Sequence, residues 1–194
     1  MIGRDLDTHA MLRFQQGDEA GFVELFRRHH HPMAQYLYRF TGSNARAEEL
    51  VQDCFLRVYR ARASYQPEAK WRTWAYRIAT NLALNELRRR EHHAGHVATG
   101  EEGEEGRVVV VDRGAAGADQ QAEAAELVDR LHAALAALPE NQRTAFLLAQ
   151  VEGFRYQEIA QVLEVSVGAV KSLIFRARDQ LKAAARDLLP EAYR

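Results

Sequence analysis

Two sets of apolar residues near the end of the chain predict a pair of short helices that cross at a tight turn. Each set recurs at the spacing of one helix face, with Ile159, Ala160 and Leu163 in the first and Val170, Leu173 and Ile174 in the second. Ser166 lies between them, where its hydroxyl can cap the second helix by accepting a hydrogen bond from the amide of Gly168 or Ala169. Because the small side chain of Ala160 allows a close crossing, the pattern is typical of a helix-turn-helix.

Glu164 occupies the turn position at which many helix-turn-helix motifs have a glycine. A residue other than glycine in the left-handed backbone region costs about 1 kcal/mol, since its Cβ crowds the following carbonyl. We therefore expect either that cost or a slightly longer turn at this position.

The outward side of the predicted second helix carries residues suited to DNA, namely Lys171, Ser172, Phe175, Arg176 and Arg178. Lysine and arginine donate hydrogen bonds to guanine or phosphate, serine can contact a base edge or the backbone, and phenylalanine can touch a thymine methyl group. The alternative is a solvated basic helix that packs a small core, which would not require an outward phenylalanine. These residues therefore favour the reading of duplex DNA.

The chain reads as helical almost throughout, which predicts an all-α fold. Only four prolines occur in 194 residues, and no apolar and polar alternation of period two is present. No apolar run approaches the roughly 20 residues that a membrane span requires, and residues 1–14 lack the apolar centre of a secretory signal. We therefore expect a cytoplasmic protein without membrane insertion.

Composition divides the chain into two small helical domains and a linker. Apolar residues at helical spacing run through residues 18–90, where Pro32 is expected to kink or divide the first helix. A Gly-rich, acidic stretch follows, and helical spacing resumes near Glu126. We predict a first domain at residues 1–92, a flexible acidic linker at residues 93–125 and a second domain at residues 126–194. The net charge of −1 thus conceals basic, acidic and basic segments in succession.

A predicted loop and the helix after it interleave aromatic and basic residues, namely Tyr65, Lys70, Trp71, Arg72, Trp74, Tyr76 and Arg77. Bases stack on aromatic faces for roughly 1–3 kcal/mol each while Lys and Arg follow the phosphates. Asn81 and Asn85 lie one helical turn apart and can hydrogen-bond a base that is turned out of the stack. The pattern favours single-stranded nucleic acid, although tryptophans in a core and asparagines on a plain surface remain open alternatives.

The sequence offers no pattern for catalysis, for a metal or for a cofactor. The three consecutive histidines at residues 29–31 point in different directions on a helix and cannot all face one ion. Cys54 is the single cysteine, which excludes an internal disulfide, and we expect it in the core. Neither a phosphate-cradling glycine loop nor a carboxylate pair in an apolar setting is present. We therefore expect a protein that is not an enzyme.

Taken together, these residues resemble the extracytoplasmic-function sigma factors, which are small sigma subunits of bacterial RNA polymerase. Four segments carry the resemblance in the family's order, Gly17 to His29, Ala47 to Ala61, Lys70 to Arg90 and Leu138 to Leu181. The resemblance implies a protein that binds core RNA polymerase and directs initiation by recognising a −35 duplex and a −10 single strand. It also implies sigma region 2 in the first domain, sigma region 4 in the second, and a linker that threads toward the polymerase active centre.

The resemblance implies roles for individual residues as well. The core polymerase, through its β′ and β subunits, is the implied partner, and the residues implied to contact β′ are Glu49, Gln52 and Asp53. The residues implied to capture and flank the melted −10 strand are Tyr65, Gln66, Lys70, Trp71, Trp74, Arg77, Asn81, Asn85 and Arg88. Those implied to read the −35 element are Lys171, Ser172, Phe175, Arg176 and Arg178. Because family members are usually held by a cognate anti-sigma factor, such a partner is implied too.

Two other classes of protein share part of this pattern. A transcription regulator would bind duplex DNA by itself, as a dimer on a palindrome, while its first domain senses a ligand or dimerises. An anti-sigma factor or another polymerase-binding inhibitor would lack the DNA-reading residues. A sigma factor differs from a regulator because it needs core polymerase, since neither domain alone offers much phosphate contact area.

Overall fold

A computed structural model describes residues 5–94 and 130–188 of the chain, with the backbone alone for residues 91–94 and 185–188. The regular elements in these ranges are α1 (Leu6–Gln15), α2 (Glu19–Thr41), α3 (Asn44–Arg60), a 3-10 turn (Arg62–Ser64), α4 (Trp71–Ala94), α5 (residues 130–136), α6 (Glu140–Gln150), α7 (Tyr156–Leu163) and α8 (Val167–Leu188). The all-α prediction is confirmed. Helix α4 continues past the predicted start of the linker at residue 93, and the rest of that linker lies outside the described residues.

Helix α2 runs unbroken through Pro32. Of the two predicted effects of this proline, a kink or a division of the helix, the division does not occur. A proline removes one backbone donor but leaves the hydrogen bonds before and after it intact, and Met33 and Leu37 pack the helix into the core beyond it. The ends of α2 follow ordinary capping rules. The carboxylate of Asp18 accepts a hydrogen bond from the amide of Ala20, and Gly42 ends the helix with a φ of 66°.

Helix α1 has no counterpart among the predicted elements. Its apolar residues Ala10, Met11 and Phe14 are fully buried, but the polar residues Asp7 and Thr8 are buried beside them. Polar residues on the inward side interrupt the apolar spacing from which a helix is recognised. Asp7 is accommodated because it pairs with Arg28 and with the Nε2 atom of His29, at 2.8 Å from the latter.

Helices α1 to α4 form a bundle around one core that contains the largest fully buried side chains of this half of the molecule, among them Trp71, Tyr36, Tyr76 and Phe14. Cys54 lies in this core as predicted, and burial raises the pKa of its thiol to about 12. Polar groups inside the bundle include the hydroxyl groups of Tyr36 and Thr80, which lie 2.8 Å apart and form a hydrogen bond.

Helices α6 to α8 form a second, smaller bundle that packs directly on the first. Helix α7 lies against α4, and the ring of Phe154 lies 5.0 Å from that of Tyr76. On the far side of this contact, the guanidinium of Arg143 lies 5.2 Å from the ring centre of Phe40. The two cores are therefore continuous in this structure.

Helices α1 and α2 approach each other closely at Gly21, where a Cβ atom would lie 2.3 Å from the carbonyl oxygen of Ala10. We expect Gly21→Ala to lower the free energy of unfolding by about 1–3 kcal/mol, because two backbones must move apart to admit the methyl group. Gly168→Ala is the matched control, since the nearest atom to its added Cβ is Ser166 Oγ at 3.8 Å. The control should stay within about 1 kcal/mol of the parent. Urea titration measures both, and equal effects would contradict the prediction.

Candidate nucleic-acid and polymerase interfaces

Helices α7 and α8 form the predicted helix-turn-helix. Ile159 and Ala160 are buried on α7, and Val170 and Ile174 are buried on α8. The cap is present as predicted, because Ser166 Oγ accepts a hydrogen bond of 3.1 Å from the amide of Ala169. The tight turn therefore has the sequence determinants expected for it.

Glu164 adopts the left-handed backbone conformation, with a φ of 56° and a ψ of 41°. No other residue apart from glycine has a positive φ within residues 5–94 and 130–188. The turn thus keeps its short length, and the backbone strain is borne at Glu164 rather than relieved by an added residue.

All five predicted DNA-reading side chains of α8 lie on its exposed side, namely Lys171, Ser172, Phe175, Arg176 and Arg178. Phe175 is 72% exposed, so its ring is available for contact with a partner. The hydroxyl of Ser172 donates a hydrogen bond of 3.2 Å to the carbonyl oxygen of Gly168, so it is oriented along the helix. Three cations, Lys171, Arg176 and Arg178, thus share the exposed side of α8 with the ring of Phe175.

Two of the predicted single-strand contacts are core residues in this structure. Trp71 is 0% exposed and Tyr65 is 3% exposed, so neither presents a ring face on which a base could stack. The amide of Trp71 donates a hydrogen bond of 3.1 Å to Thr8 Oγ1, and its ring lies 4.8 Å from that of His29. Trp71 is the first residue of α4 and anchors that helix to α1 and α2, so of the two alternatives for this tryptophan, a stacking platform and a core position, the structure shows the core position.

The other predicted single-strand contacts lie at the surface. Gln66, Lys70, Asn81, Asn85 and Arg88 are exposed, while Trp74 and Arg77 are partly exposed. Trp74 packs edge-on against Tyr65, with ring centres 5.0 Å apart. Tyr65 thus supports the indole of Trp74, and the exposed residues follow one side of α4 from the loop towards its end.

A cleft of ≈ 400 Å³ lies between the loop before α4 and the helix-turn-helix. One wall consists of Gln66, Glu68, Ala69, Thr73, Trp74 and Arg77, and the other consists of Gln161 and Glu164. The aromatic, amide and guanidinium groups of the first wall can stack on and hydrogen-bond a nucleic-acid base. The second wall belongs to the smaller bundle, so this cleft spans both halves of the molecule.

Four cations on the α4 side are paired with carboxylates of the smaller bundle, Lys70 with Glu158 at 2.6 Å, Arg72 with Glu152 at 3.1 Å, Arg77 with Glu164 at 3.5 Å and Arg88 with Glu140 at 2.9 Å. Burial alone would raise the pKa of Glu158, but Lys70 and the amide of Arg155 hold it below its ordinary value. Glu158 is therefore a carboxylate at neutral pH. Cations on the α4 side thus face carboxylates of the smaller bundle at four places.

The predicted polymerase-contact residues Glu49, Gln52 and Asp53 lie together on the exposed side of α3. Leu56 lies one turn further along the same side and is 45% exposed. Sequence reasoning missed it, although it falls outside the buried apolar stripe of α3 and could have been recognised for that reason. An apolar residue among polar ones suits the centre of a protein interface.

The consecutive histidines have three separate partners. His29 contacts Asp7 inside the bundle, His30 contacts Glu48 and His31 contacts Gln35. No group of three or more potential metal ligands occurs within residues 5–94 and 130–188. Among the helices of the same ranges, none combines the length and the apolar character that crossing a bilayer would require.

Comparison with known proteins assigns both bundles. Residues 25–93 match the family described as Sigma-70 region 2, and residues 128–181 match the one described as Sigma-70, region 4. The chain is 33% identical to the RNA polymerase sigma-H factor of Pseudomonas aeruginosa over 99% of this chain and 100% of that protein. It is 33% identical to the ECF RNA polymerase sigma-E factor of Haemophilus influenzae over 94% of this chain and 97% of that protein.

The fold also resembles a solved structure, that of the sigma factor RpoE from Bartonella quintana in complex with the anti-sigma factor NepR. The TM-score is 0.67 and the identity 21%, over 85% of this chain and 96% of that one. At this level of identity the likeness concerns the fold.

Glu164 allows the strain in the turn to be measured directly. We expect Glu164→Gly to be more stable than Glu164→Ala by about 1 kcal/mol, because both variants lose the carboxylate and only alanine keeps a Cβ in the left-handed region. The difference in free energy of unfolding between the two variants, from urea titration, isolates the backbone effect. Equal stability would show that the turn is not strained at this residue.

Proposed function

The chain belongs to the extracytoplasmic-function sigma factors, and on that premise we propose how its residues share the work of starting transcription. Members of this family bind core RNA polymerase and direct initiation at specific promoters, recognising a −35 duplex and a −10 single strand. The observation that carries the proposal is the match of both bundles, in order, to sigma regions 2 and 4.

We assign residues 1–92 to the domain that binds polymerase and opens the −10 element, and residues 126–194 to the domain that reads the −35 element. The acidic, Gly-rich residues 93–125 join them as a linker. Strand opening in this scheme is binding work, driven by capture of the melted strand, and requires no bond making by this chain. The protein acts with polymerase in the cytoplasm.

The −35 element is read by α8, in the major groove of the duplex. Lys171, Arg176 and Arg178 donate to guanine or phosphate, Ser172 contacts a base edge or the backbone, and Phe175 meets a thymine methyl group. The full exposure of this side of α8 supports the assignment, because a helix cannot enter the groove with its reading side covered.

The −10 strand is held by the loop before α4 and by α4 itself. Trp74 supplies the stacking face, Gln66, Asn81 and Asn85 supply hydrogen bonds to bases, and Lys70, Arg77 and Arg88 follow the phosphates. Tyr65 and Trp71 are buried and support this surface without contacting the strand. Tyr65 fixes the position of Trp74, and Trp71 fixes the start of α4.

Core polymerase binds the outward side of α3 through Glu49, Gln52, Asp53 and, as an addition from the structure, Leu56. The β′ subunit is the main partner there, and the β subunit is a further one. An anti-sigma factor is a second kind of partner for this chain, in line with the complex of the Bartonella quintana sigma factor.

Reconstitution tests the function. The purified chain is added to core polymerase with fragmented genomic DNA, and the 5′ ends of the transcripts are sequenced. We expect transcripts that begin at a small set of sites sharing two upstream elements, since each domain reads one of them. Transcription that stays at the level of core polymerase alone, or starts with no shared element, would contradict the proposal.

Two single variants test the proposed roles of the two domains one at a time. Trp74→Ala should abolish the permanganate-reactive bubble at an identified promoter while binding to core polymerase persists, because only strand capture loses its stacking face. Arg176→Ala should instead weaken recognition of the −35 element by about 1–3 kcal/mol. A bubble that survives in Trp74→Ala, or an Arg176→Ala variant that still discriminates between intact and mutated −35 elements as the parent does, would refute the corresponding assignment.

A further inference from the structure

Helix α1 holds both ends of the loop before α4 (residues 65–70), and we propose that it positions this loop for capture of the −10 strand. Gln15 and Thr8 are the positioning residues, because they contact the backbone around the loop and not the DNA. The inference rests on the proposed function of the loop and of Trp74. Helix α1 precedes residues 25–93, the range that matches Sigma-70 region 2, so that match assigns it no role.

Gln15, the last residue of α1, fixes the start of the loop. Its Nε2 atom donates hydrogen bonds to the carbonyl oxygens of Tyr65 at 3.1 Å and of Ala63 at 3.3 Å. A primary amide carries two hydrogens, so both bonds form at once. A single side chain therefore attaches the 3-10 turn and the first residue of the loop to the end of α1.

Thr8 fixes the end of the loop. Its Oγ1 atom accepts a hydrogen bond of 3.1 Å from the amide of Trp71 and donates one of 2.8 Å to Asp5 Oδ2. The first amides of a helix have no partner within that helix, so Thr8 caps α4 from a different element. Because Thr8 is 2% exposed and Trp71 is 0% exposed, loss of this acceptor would leave a buried amide unpaired.

Helix α1 is itself held firmly against α2. Asp7 pairs with Arg28 and with His29, and both partners lie on α2. The two backbones also approach closely at Gly21, where only a hydrogen atom faces the carbonyl oxygen of Ala10. Helix α1 therefore provides a fixed reference against which the loop is placed.

The loop has little backbone support of its own. It contains no regular element, and the amide of Glu68 donates within it to the carbonyl oxygen of Gln66 at 2.9 Å. Yet Gln66, Glu68 and Ala69 form one wall of the cleft together with Trp74, whose ring is supported by Tyr65. A loop that is ordered before the strand arrives binds it more tightly, because the cost of ordering is not charged to binding.

Packing of α1 does not require these polar contacts. Ala10, Met11 and Phe14 are fully buried and supply the apolar contacts of this helix. Gln15 is half-buried at the edge of the core, and its two hydrogen bonds go to the backbone around the loop. Loss of its amide should therefore affect the loop more than the bundle.

The test uses the full chain assembled with core polymerase, at a promoter identified by reconstitution. Gln15→Glu replaces the donor with an acceptor of the same size, which is repelled by the two carbonyl oxygens. We expect strand opening, measured by permanganate reactivity over time, to be about tenfold slower, because fewer loops have the capturing conformation. Affinities for core polymerase and for the −35 duplex should stay within about twofold of the parent, since the exposed residues of α3 and α8 are unchanged.

Gln16 supplies the matched controls, because it is the next residue and is exposed. Gln16→Glu introduces the same charge without removing the donor, and it should open the promoter within about twofold of the parent. Gln15→Lys keeps a donor at the critical position, so it should open the promoter faster than Gln15→Glu and about as fast as Gln16→Lys. The four variants separate the requirement for a donor from the effect of charge near DNA.

The other end of the loop is tested with Thr8. Thr8→Val removes the hydroxyl group and should slow opening, while Thr8→Ser keeps it and should restore most of the rate. Amide hydrogen exchange in residues 62–71 should be faster in Gln15→Glu and in Thr8→Val, with exchange in residues 44–60 unchanged. Such a pattern indicates local loosening of the loop and not unfolding of the bundle.

Several results would overturn the proposal. Equal opening rates in Gln15→Glu and Gln16→Glu would do so, and so would an equal loss of core binding in Gln15→Glu, which indicates a damaged fold. Faster exchange without slower opening would show that the position of the loop does not limit capture. If Thr8→Val does not fold, the half-buried Gln15 still provides the test.

Failure of the proposed function gives a different result. A bubble that persists in Trp74→Ala would contradict strand capture by this surface and would remove the premise of the inference. A bubble that is lost in Trp74→Ala but forms at the parent rate in Gln15→Glu would contradict the role of α1 alone.

Discussion

The nearly buried carboxylate of Glu152, held by Arg72 and Tyr76, makes α4 an element of both domains. Its donors lie on the first two turns of α4, directly after the residue that anchors this helix to α1 and α2. This contact acts together with the packing of Phe154 on Tyr76, so burial and charge both hold the two bundles against each other. A buried charge requires its partners, so loss of either donor would leave Glu152 less well compensated and weaken the contact between the bundles.

Much of the fold follows from local pattern. The helix-turn-helix, its Ser166 cap and the left-handed Glu164 are predictable because each depends on residues within one or two turns. Helix α1 is not, because Asp7 and Thr8 face the core and their partners come from other helices. Burial of Trp71 has the same origin, since the residues that enclose it lie far away in the sequence.

The candidate sites also combine features that local sequence predicts with contacts between distant residues that it does not. Exposure of the reading side of α8 and of the contact side of α3 follows from helical periodicity, and the structure agrees with both. The pairing of Lys70 with Glu158 joins residues 88 positions apart, and a one-dimensional pattern of charge contains no information about that register. The sequence indicated basic and acidic segments, but which acid meets which base is decided by the packing of α7 on α4.

The turn residue Glu164 links the two tasks of the molecule. Its backbone carries the strain of the helix-turn-helix, while its side chain reaches Arg77 on the single-strand surface. The ion pair with Arg77 lies at the surface and stabilises the fold only slightly, so it offsets little of the backbone strain at Glu164. A substitution at Glu164 therefore changes two things at once, the backbone cost of the turn and a contact between the two bundles.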